Sequence, residues 1–314
     1  MTTGTAVPVL TAAEHECELV DDDDQLRDAA TRFLDEAAAA GDPVRAALPG
    51  WLVEELLPRH PDAALVAVEG RTFGREPDLI ARIRTRAGEL PSPQRLRLLA
   101  LVCGSDVRDW EERCRCEAVT NVAYAGLPVT VSCLYDRRTT PADGIGVALA
   151  MHPVLRTPDG RAPNPDHQEP RAFLAARSTI DEPLQRTVPV LAVDDAPSLP
   201  GLRHQLGEAL RGLAGSRDAE EDFHLAASEV AANAFRHGTG PISARLWAGP
   251  DRLICAISDS GSSYSNPLGG YRPAHGDDLS RGGMGLWLAR KLCDHVDLIS
   301  TASGFTVRLV IVLR

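Results

Sequence analysis

Three short segments follow one another in order toward the C-terminal end of this chain. The first carries an acid and an amide, Glu229 and Asn233, the second is Asp259-Ser260-Gly261, and the third is Gly282-Gly283-Met284-Gly285-Leu286. Residues at i and i+4 share one face of a helix. An acid and an amide on one helix face, then an Asp-x-Gly turn, then a glycine loop that opens a helix, are typical of a nucleotide-binding site.

Each polar side chain in these segments suits one part of a nucleotide. The amide oxygen of Asn233 is a hard ligand that suits Mg²⁺, and Glu229 is a candidate general base that polarises an attacking nucleophile. Asp259 at a strand end can accept a hydrogen bond from an exocyclic amine such as that of adenine. Gly261 lets the backbone approach a ring closely. We therefore predict a site for a nucleotide and a divalent metal.

The glycine loop supplies the phosphate contacts in this prediction. Its last residues and the first residues of the predicted helix are Gly283, Met284, Gly285 and Leu286. Backbone N–H groups at a helix N-terminus bind anions, and glycines permit the tight curvature that this requires. The preceding loop, residues 260–281, is long enough to form a lid over a bound nucleotide.

The overall charge and the apolar runs narrow the classes of partner. A net charge of −11 argues against nucleic acid as the main partner, because binding phosphate backbones requires a basic surface. The first twenty residues lack a basic region followed by an apolar run, so we predict no signal peptide. No apolar stretch is long enough to span a bilayer. The expected location is the cytoplasm, with no membrane partner.

The seven cysteines are irregularly spaced, and we interpret them as small buried side chains with reduced thiols. A zinc site made of Cys103, Cys114, Cys116 and Cys133 does not have the spacing of a common zinc module. Residues 117–121 repeat the Glu-x-x-x-Asn spacing of the first segment, but no glycine loop follows them. We interpret that copy as structural.

Apolar runs and turn residues predict two α/β domains. We expect a flexible tail at 1–14, an N-terminal domain at 15–170, a linker at 171–183 and a C-terminal α/β sandwich with a mixed sheet at 184–314. In the N-terminal domain, strands alternate with helices, which predicts a mainly parallel sheet covered on both faces. Four consecutive aspartates at 21–24 are expected to cap its first helix.

The C-terminal domain resembles the anti-sigma-factor serine kinases, within the ATPase superfamily that includes histidine kinases and gyrase. Residues 227–234 with His237-Gly238 are similar to the N box of that family. Asp259-x-Gly261 resembles its first glycine box, and residues 283–290 resemble its second. Thr306 is similar to the threonine on a late strand near adenine.

The resemblance implies a histidine-kinase-like ATPase domain that uses ATP and Mg²⁺. It implies that Glu229 is the general base, Asn233 the Mg²⁺ ligand and Asp259 the adenine contact, with Gly283 and Gly285 as hinges of the lid. It also implies a protein that binds a sigma factor, phosphorylates Ser or Thr of an antagonist protein, and forms a homodimer through this domain.

The N-terminal domain resembles the sensory domain called MEDS. The matching stretches are His15, residues 41–44, Trp110 with residues 116–118 and Asn121, residues 133–136, and His152-Pro153. Cys116 stands where the pattern of that family has His. The resemblance implies a sensory role for this half of the chain.

Two alternatives to a kinase remain open from the sequence. Ser263 replaces the second glycine of the first glycine box, and a stiffer loop there would weaken nucleotide binding, leaving a non-catalytic module that binds a sigma factor. A sensor histidine kinase would need a phosphoacceptor histidine on a dimerising helix hairpin. His204 is the nearest candidate, but it lies in the predicted first helix of the ATPase domain, and no second hairpin helix precedes it.

Overall fold

The computed structural model describes residues 14–68, 76–104, 107–177, 180–261, 266, 268–272 and 284–313. The described chain divides into two compact units; the first ends at Leu174 and the second begins at Ala175, while residues 76–79 group with the second. None of the described helices is both long and apolar enough to cross a membrane.

The first unit is built on a seven-stranded sheet. Its elements are β1 (Glu14–Val20), α1 (Asp23–Ala40), β2 (Val44–Leu48), α2 (Gly50–Leu56), β3 (Ala64–Ala67), α3 (Glu76–Gly88), β4 (Leu96–Leu101), α4 (Val107–Ala123), β5 (Val129–Asp136), α5 (Ala142–Met151), β6 (Val154–Thr157), β7 (Gly160–Pro163) and α6 (Pro170–Ala176). The strand order is β3-β2-β4-β5-β1-β6-β7, and every neighbouring pair is parallel except β6 and β7. The predicted mainly parallel sheet is confirmed.

Helices cover both faces of this sheet, as the sequence predicted. On β5, Leu134 packs into the cluster formed with α1 and α2, whereas Cys133 and Tyr135 pack on the opposite side with Trp110 of α4 and Ala148 of α5. This alternation follows from the two-residue period of a strand. The sheet is therefore the middle layer of three.

The aspartate run caps α1 as expected. The side chain of Asp22 accepts a hydrogen bond from the backbone N–H of Gln25 at 2.8 Å, and Asp23 and Asp24 lie in the first turn. Acidic groups there interact favourably with the positive end of the helix dipole. At the other end, Gly41 has φ +69°, the left-handed conformation that glycine adopts without a Cβ penalty.

Three parts of the first unit differ from the sequence-based expectation. Strand β1 begins at Glu14, the last residue of the predicted tail. Because three of its seven residues are glutamates, it lacks the apolar run that would have predicted a buried strand. Residues 158–170, whose Pro, Asp and Asn content predicts a loop, contain strand β7, which forms a hairpin with β6. The predicted linker at 171–183 contains most of the short helix α6.

The second unit is a layer of helices on a five-stranded sheet. Its elements are β8 (Leu191–Val193), α7 (Leu199–Leu210), α8 (Arg217–His237), β9 (Ser243–Ala248), β10 (Arg252–Asp259), α9 (Gly285–Leu292), β11 (His295–Thr301) and β12 (Gly304–Val312). The strand order is β11-β12-β10-β9-β8, and all neighbours are antiparallel. The α/β sandwich is confirmed, but the prediction of a mixed sheet is wrong.

The apolar residues at 184–193 predict one long strand at the start of this domain, but only part of the segment is a strand. Leu191–Val193 pairs antiparallel with β9, while Pro183–Arg186 forms a 3-10 helix. A short antiparallel edge strand replaces the long strand that the apolar residues suggested.

The core of this unit lies between the helices and one face of the sheet. On β10, Leu253, Cys255 and Ile257 face the helices, whereas Ile254 and Ala256 lie on the opposite face. Helix α8 contributes buried apolar side chains from one side, namely Phe223, Ala226, Ala227, Val230 and Ala231. Its polar residues are thereby left at the edge of the core.

Candidate functional site

Helix α8 places Glu229 and Asn233 one turn apart, as predicted. Ser216 caps the start of the helix, because its hydroxyl accepts a hydrogen bond from the N–H of Ala219 at 3.1 Å. The helix ends at Gly238. Both Glu229 and Asn233 are half-buried, so they are accessible to a ligand and yet supported by the surrounding protein.

Arg203 of α7 lies beside Glu229. Its guanidinium Nη2 is 3.8 Å from Glu229 Oε1, and the side chains of Arg203 and Glu229 are 40% and 35% exposed. An ion pair this open contributes about 0–1 kcal/mol to stability. Nothing in the sequence indicates this pair, because Arg203 lies on another helix.

Helix α9 begins directly against the same face of α8. A Cβ atom added to Gly285 would lie 2.5 Å from Asn233 Nδ2 and 3.2 Å from the backbone oxygen of Glu229. Only glycine allows the two helices to approach this closely. The first turn of α9, with Met284 at its N-cap, therefore lies beside Asn233. Leu286 is half-buried and packs against the core.

Asp259, at the end of β10, is held by backbone donors near the C-terminal end of α8. Its Oδ1 atom accepts hydrogen bonds from the N–H of Gly261 at 2.7 Å and from the N–H of Thr239 at 3.3 Å. A Cβ on Gly238 would lie 2.9 Å from Asp259 Oδ2. The carboxylate is thus fixed in place by backbone groups.

Gly304 supports the backbone of Asp259 from the neighbouring strand. Its φ is +146°, and an added Cβ would lie 2.0 Å from the backbone oxygen of Asp259. From the sequence, Gly304 is only a residue of the turn at 302–304, since nothing in the sequence shows which strand lies opposite it.

Thr306 does not join this group. It pairs with Ser258 across β10 and β12, and their hydroxyl oxygens are 2.7 Å apart. Neighbouring residues of a strand point to opposite faces. Thr306 therefore lies on the sheet face opposite to Asp259, and Phe305 is the β12 residue paired with Asp259.

Part of the predicted phosphate loop lies outside the described residues, including Gly283, Ser263 and residues 273–281. A described piece of the loop, residues 268–272, is attached to α9 by Arg290. The buried guanidinium donates to the backbone oxygen of Gly269 at 2.9 Å and lies 4.0 Å from the ring centroid of Tyr271. This contact fixes the loop at one point.

His204 is exposed on α7, whose Leu202, Leu206 and Leu210 are buried in the core of the second unit. The helix is thus a part of the sandwich and not a separate hairpin.

Comparison with known proteins identifies both units. The family described as "Histidine kinase-like ATPase domain" matches residues 192–311. The family described as "MEDS: MEthanogen/methylotroph, DcmR Sensory domain" matches residues 14–153. This protein joins a MEDS domain to a histidine kinase-like ATPase domain. Both resemblances inferred from the sequence are confirmed.

The ATPase domain is also similar to curated proteins named serine-protein kinase RsbW. The relative from Bacillus licheniformis is 38% identical over 106 residues, which cover 30% of this chain and 65% of the relative. The relative from Bacillus subtilis is 37% identical over 103 residues, covering 29% and 64%. The chain thus spans just under two thirds of the length of these relatives, and the MEDS domain has no counterpart in the matched stretch.

Proposed function

We propose that the ATPase domain binds Mg-ATP and that the protein is an anti-sigma regulator that phosphorylates Ser or Thr of an antagonist protein. The observation that carries this proposal is the contact of Gly285 with Asn233. It brings the helix that follows the glycine loop against the acid-amide face of α8. A phosphate group at the start of α9 would then lie next to the Mg²⁺ ligand and the general base.

We propose that the two ends of ATP lie along α8. Asp259 lies at Gly238, after the C-terminal end of the helix, and would accept a hydrogen bond from the adenine amine. Glu229 lies nine residues earlier, about 13 Å along the axis at 1.5 Å per residue. We assign the adenine to the Asp259 end and the phosphates to the end with Glu229, Asn233 and Gly285. Thr306 is left out of the adenine site because it faces the other way.

The residues of the site would act mainly by positioning and by charge. A Mg²⁺ ion held by Asn233 and by phosphate oxygens would neutralise charge on the transferred group. Glu229 would accept the proton of the attacking hydroxyl, with Arg203 holding its carboxylate in orientation. In the described part of this domain, no three His, Cys, Asp or Glu side chains lie close enough together to hold a metal ion by themselves.

The resemblance to anti-sigma-factor kinases and the RsbW relatives supports the choice of partners. We propose a sigma factor and an antagonist protein as partners, in the cytoplasm, with the ATPase domain forming a homodimer. The MEDS domain precedes the kinase in the chain, and we propose that it supplies the signal.

Calorimetric titration of Mg-ATP into the full chain tests the site. We expect micromolar binding that is lost in Asn233→Ala and retained in Glu229→Gln. Incubation with labelled ATP and a panel of antagonist proteins should give phosphoserine or phosphothreonine with the wild type and none with Glu229→Gln. Transfer that survives in Glu229→Gln would contradict the role of Glu229. A folded wild type that binds no Mg-ATP would favour the non-catalytic sigma-binding module.

A further inference from the structure

Four buried side chains from distant parts of the MEDS domain converge on one point. His15 lies on β1, Glu117 on α4, Cys133 on β5 and His152 directly after α5. One ligand atom from each lies within 4.8 Å of all the others. The least buried of the four, Glu117, is only 7% exposed. The group is therefore closed to bulk water.

The sheet pairing explains how this group assembles. Strands β1 and β5 are parallel neighbours, with His15 opposite Val131 and Cys17 opposite Cys133. His15 and Cys133 consequently project from the same face of the sheet, one pair apart. Helix α4 covers that face and adds Glu117.

Four of the six distances between the ligand atoms fit a tetrahedral zinc ion. Glu117 Oε2 lies 3.1 Å from His15 Nε2, 3.3 Å from His152 Nε2 and 3.5 Å from Cys133 Sγ. Cys133 Sγ lies 3.7 Å from His15 Nε2. Zinc bonds of about 2.0–2.1 Å to N or O and 2.3 Å to S give tetrahedral edges of about 3.3 Å and 3.6 Å. These four distances therefore match the edges of a tetrahedral site to within a few tenths of an ångström, and the remaining two lie within 4.8 Å.

The hydrogen bonds around His15 direct its free lone pair into the group. The side-chain amide nitrogen of Asn121 donates to the backbone oxygens of Glu117 at 3.2 Å and Met151 at 2.8 Å. The amide oxygen of Asn121 therefore faces His15 Nδ1, 3.1 Å away, and accepts a hydrogen bond from its N–H group. His15 Nε2 is left as an acceptor, which is the tautomer that a metal binds.

His152 is fixed in the same tautomer. Its Nδ1 atom donates to the backbone oxygen of Ala148 at 2.7 Å. Its Nε2 atom is fully buried and makes no hydrogen bond of acceptable geometry. Histidines that bind metals usually donate a hydrogen bond from the other ring nitrogen, often to a backbone carbonyl. His152 has this arrangement.

A shared divalent cation suits the charges of the group. Glu117 Oε1 accepts a hydrogen bond from Tyr135 Oη at 2.8 Å, so Oε2 faces the two acceptor nitrogens. A divalent ion with one carboxylate and one thiolate is neutral overall, which avoids the cost of a net buried charge.

We propose that His15, Glu117, Cys133 and His152 bind one Zn²⁺ ion in the MEDS domain. Two imidazoles, a thiolate and a carboxylate are borderline-soft donors that suit zinc, and four protein ligands without an open position are typical of a structural site. The ion would join β1, β5, α4 and the end of α5. In the metal-free protein, burial raises the pKa of the Cys133 thiol to about 12. Zinc binding would release that proton.

Metal analysis of the full chain tests this proposal. We expect one zinc per chain after purification without chelator. After its removal, Co²⁺ should restore the visible bands of tetrahedral cobalt and a sulfur-to-metal charge-transfer band. Cys133→Ser should abolish the charge-transfer band and weaken Zn²⁺ binding about 100-fold or more. Cys255→Ser is the matched control, since Cys255 is equally buried but lies outside the group.

Two further measurements keep the test decisive if Cys133→Ser does not fold. Glu117→Gln keeps the shape of the side chain and should also weaken binding of Zn²⁺. Treatment of the wild type with a chelator should lower its unfolding temperature, and added Zn²⁺ should restore it. A folded wild type that binds neither Zn²⁺ nor Co²⁺ at micromolar concentration would overturn the proposal, as would unchanged binding in both variants. These outcomes do not depend on nucleotide binding by the ATPase domain.

Discussion

Replacing Gly285 by alanine should disturb the nucleotide site through one contact. The added Cβ would lie 2.5 Å from Asn233 Nδ2, whereas carbon and nitrogen atoms in contact are normally about 3.5 Å apart or more. The amide must then move by about 1 Å or the helices must separate. Overpacking of this kind costs about 1–3 kcal/mol. An amide displaced by this distance cannot keep a Mg²⁺–oxygen bond of about 2.0–2.1 Å.

Urea unfolding and Mg-ATP calorimetry would measure both effects in Gly285→Ala. We expect lower stability and an affinity for Mg-ATP that falls about 10- to 100-fold. Gly146→Ala, in helix α5, is the matched control, because its Cβ meets nothing within 4 Å. The same chemical change there should stabilise the protein by about 0.4–1 kcal/mol.

A double-mutant cycle isolates the contact with Asn233. If the clash is the cause, Gly285→Ala should cost much less stability in an Asn233→Ala background, since only the 3.2 Å contact with the backbone oxygen of Glu229 remains. Equal costs in the two backgrounds would refute the proposed packing. Wild-type affinity for Mg-ATP in Gly285→Ala would refute the position assigned to the metal.

Two other changes test the adenine contact and the acid stability of the MEDS domain. Asp259→Asn should weaken ATP binding about 10- to 100-fold in calorimetry, because a hydrogen bond to a charged group contributes about 1.5–3 kcal/mol. Thr306→Val, on the opposite face of the sheet, is the control and should leave the affinity unchanged. Equal losses of affinity in the two variants would contradict the placement of adenine at Asp259. Hydrogen bonds from Arg138 hold the pKa of Asp136 below its usual range. Asp136 therefore contributes stability that is present above its unfolded pKa of about 3.9 and is lost as pH falls through the lower folded value. Urea unfolding between pH 2.5 and 6 should show a flatter acid limb in Asp136→Asn, and parallel curves would count against the ion pair.

The ATPase domain was largely predictable because its signals are local. The sequence predicts a last helix at residues 285–292, and α9 has these bounds; it also predicts a closing hairpin across residues 302–304, which β11 and β12 form. The spacing of Glu229 and Asn233 also needed only the helical period. Thr306 was misplaced relative to Asp259 because its face depends on the register with β10, which the sequence does not contain.

The cluster in the MEDS domain could not be predicted in the same way. His15 and Cys133 come together only because β1 pairs with β5, far along the chain. The Glu-x-x-x-Asn copy at 117–121 was interpreted as structural, but Glu117 faces three candidate ligands and Asn121 orients His15. Single residues separated by long stretches carry no periodicity, so only the family resemblance marked them.

The position of β1 has a consequence for synthesis of the protein. It is the first described strand to leave the ribosome, yet it lies between β5 and β6 in the sheet, so its partners emerge only when residues 129–157 have been made. Until then β1 has neither neighbouring strand to pair with, and unpaired strands are prone to aggregate. Its sequence alternates Glu14, Glu16 and Glu18 with other residues, and repeated charge of this kind opposes the association of exposed strands.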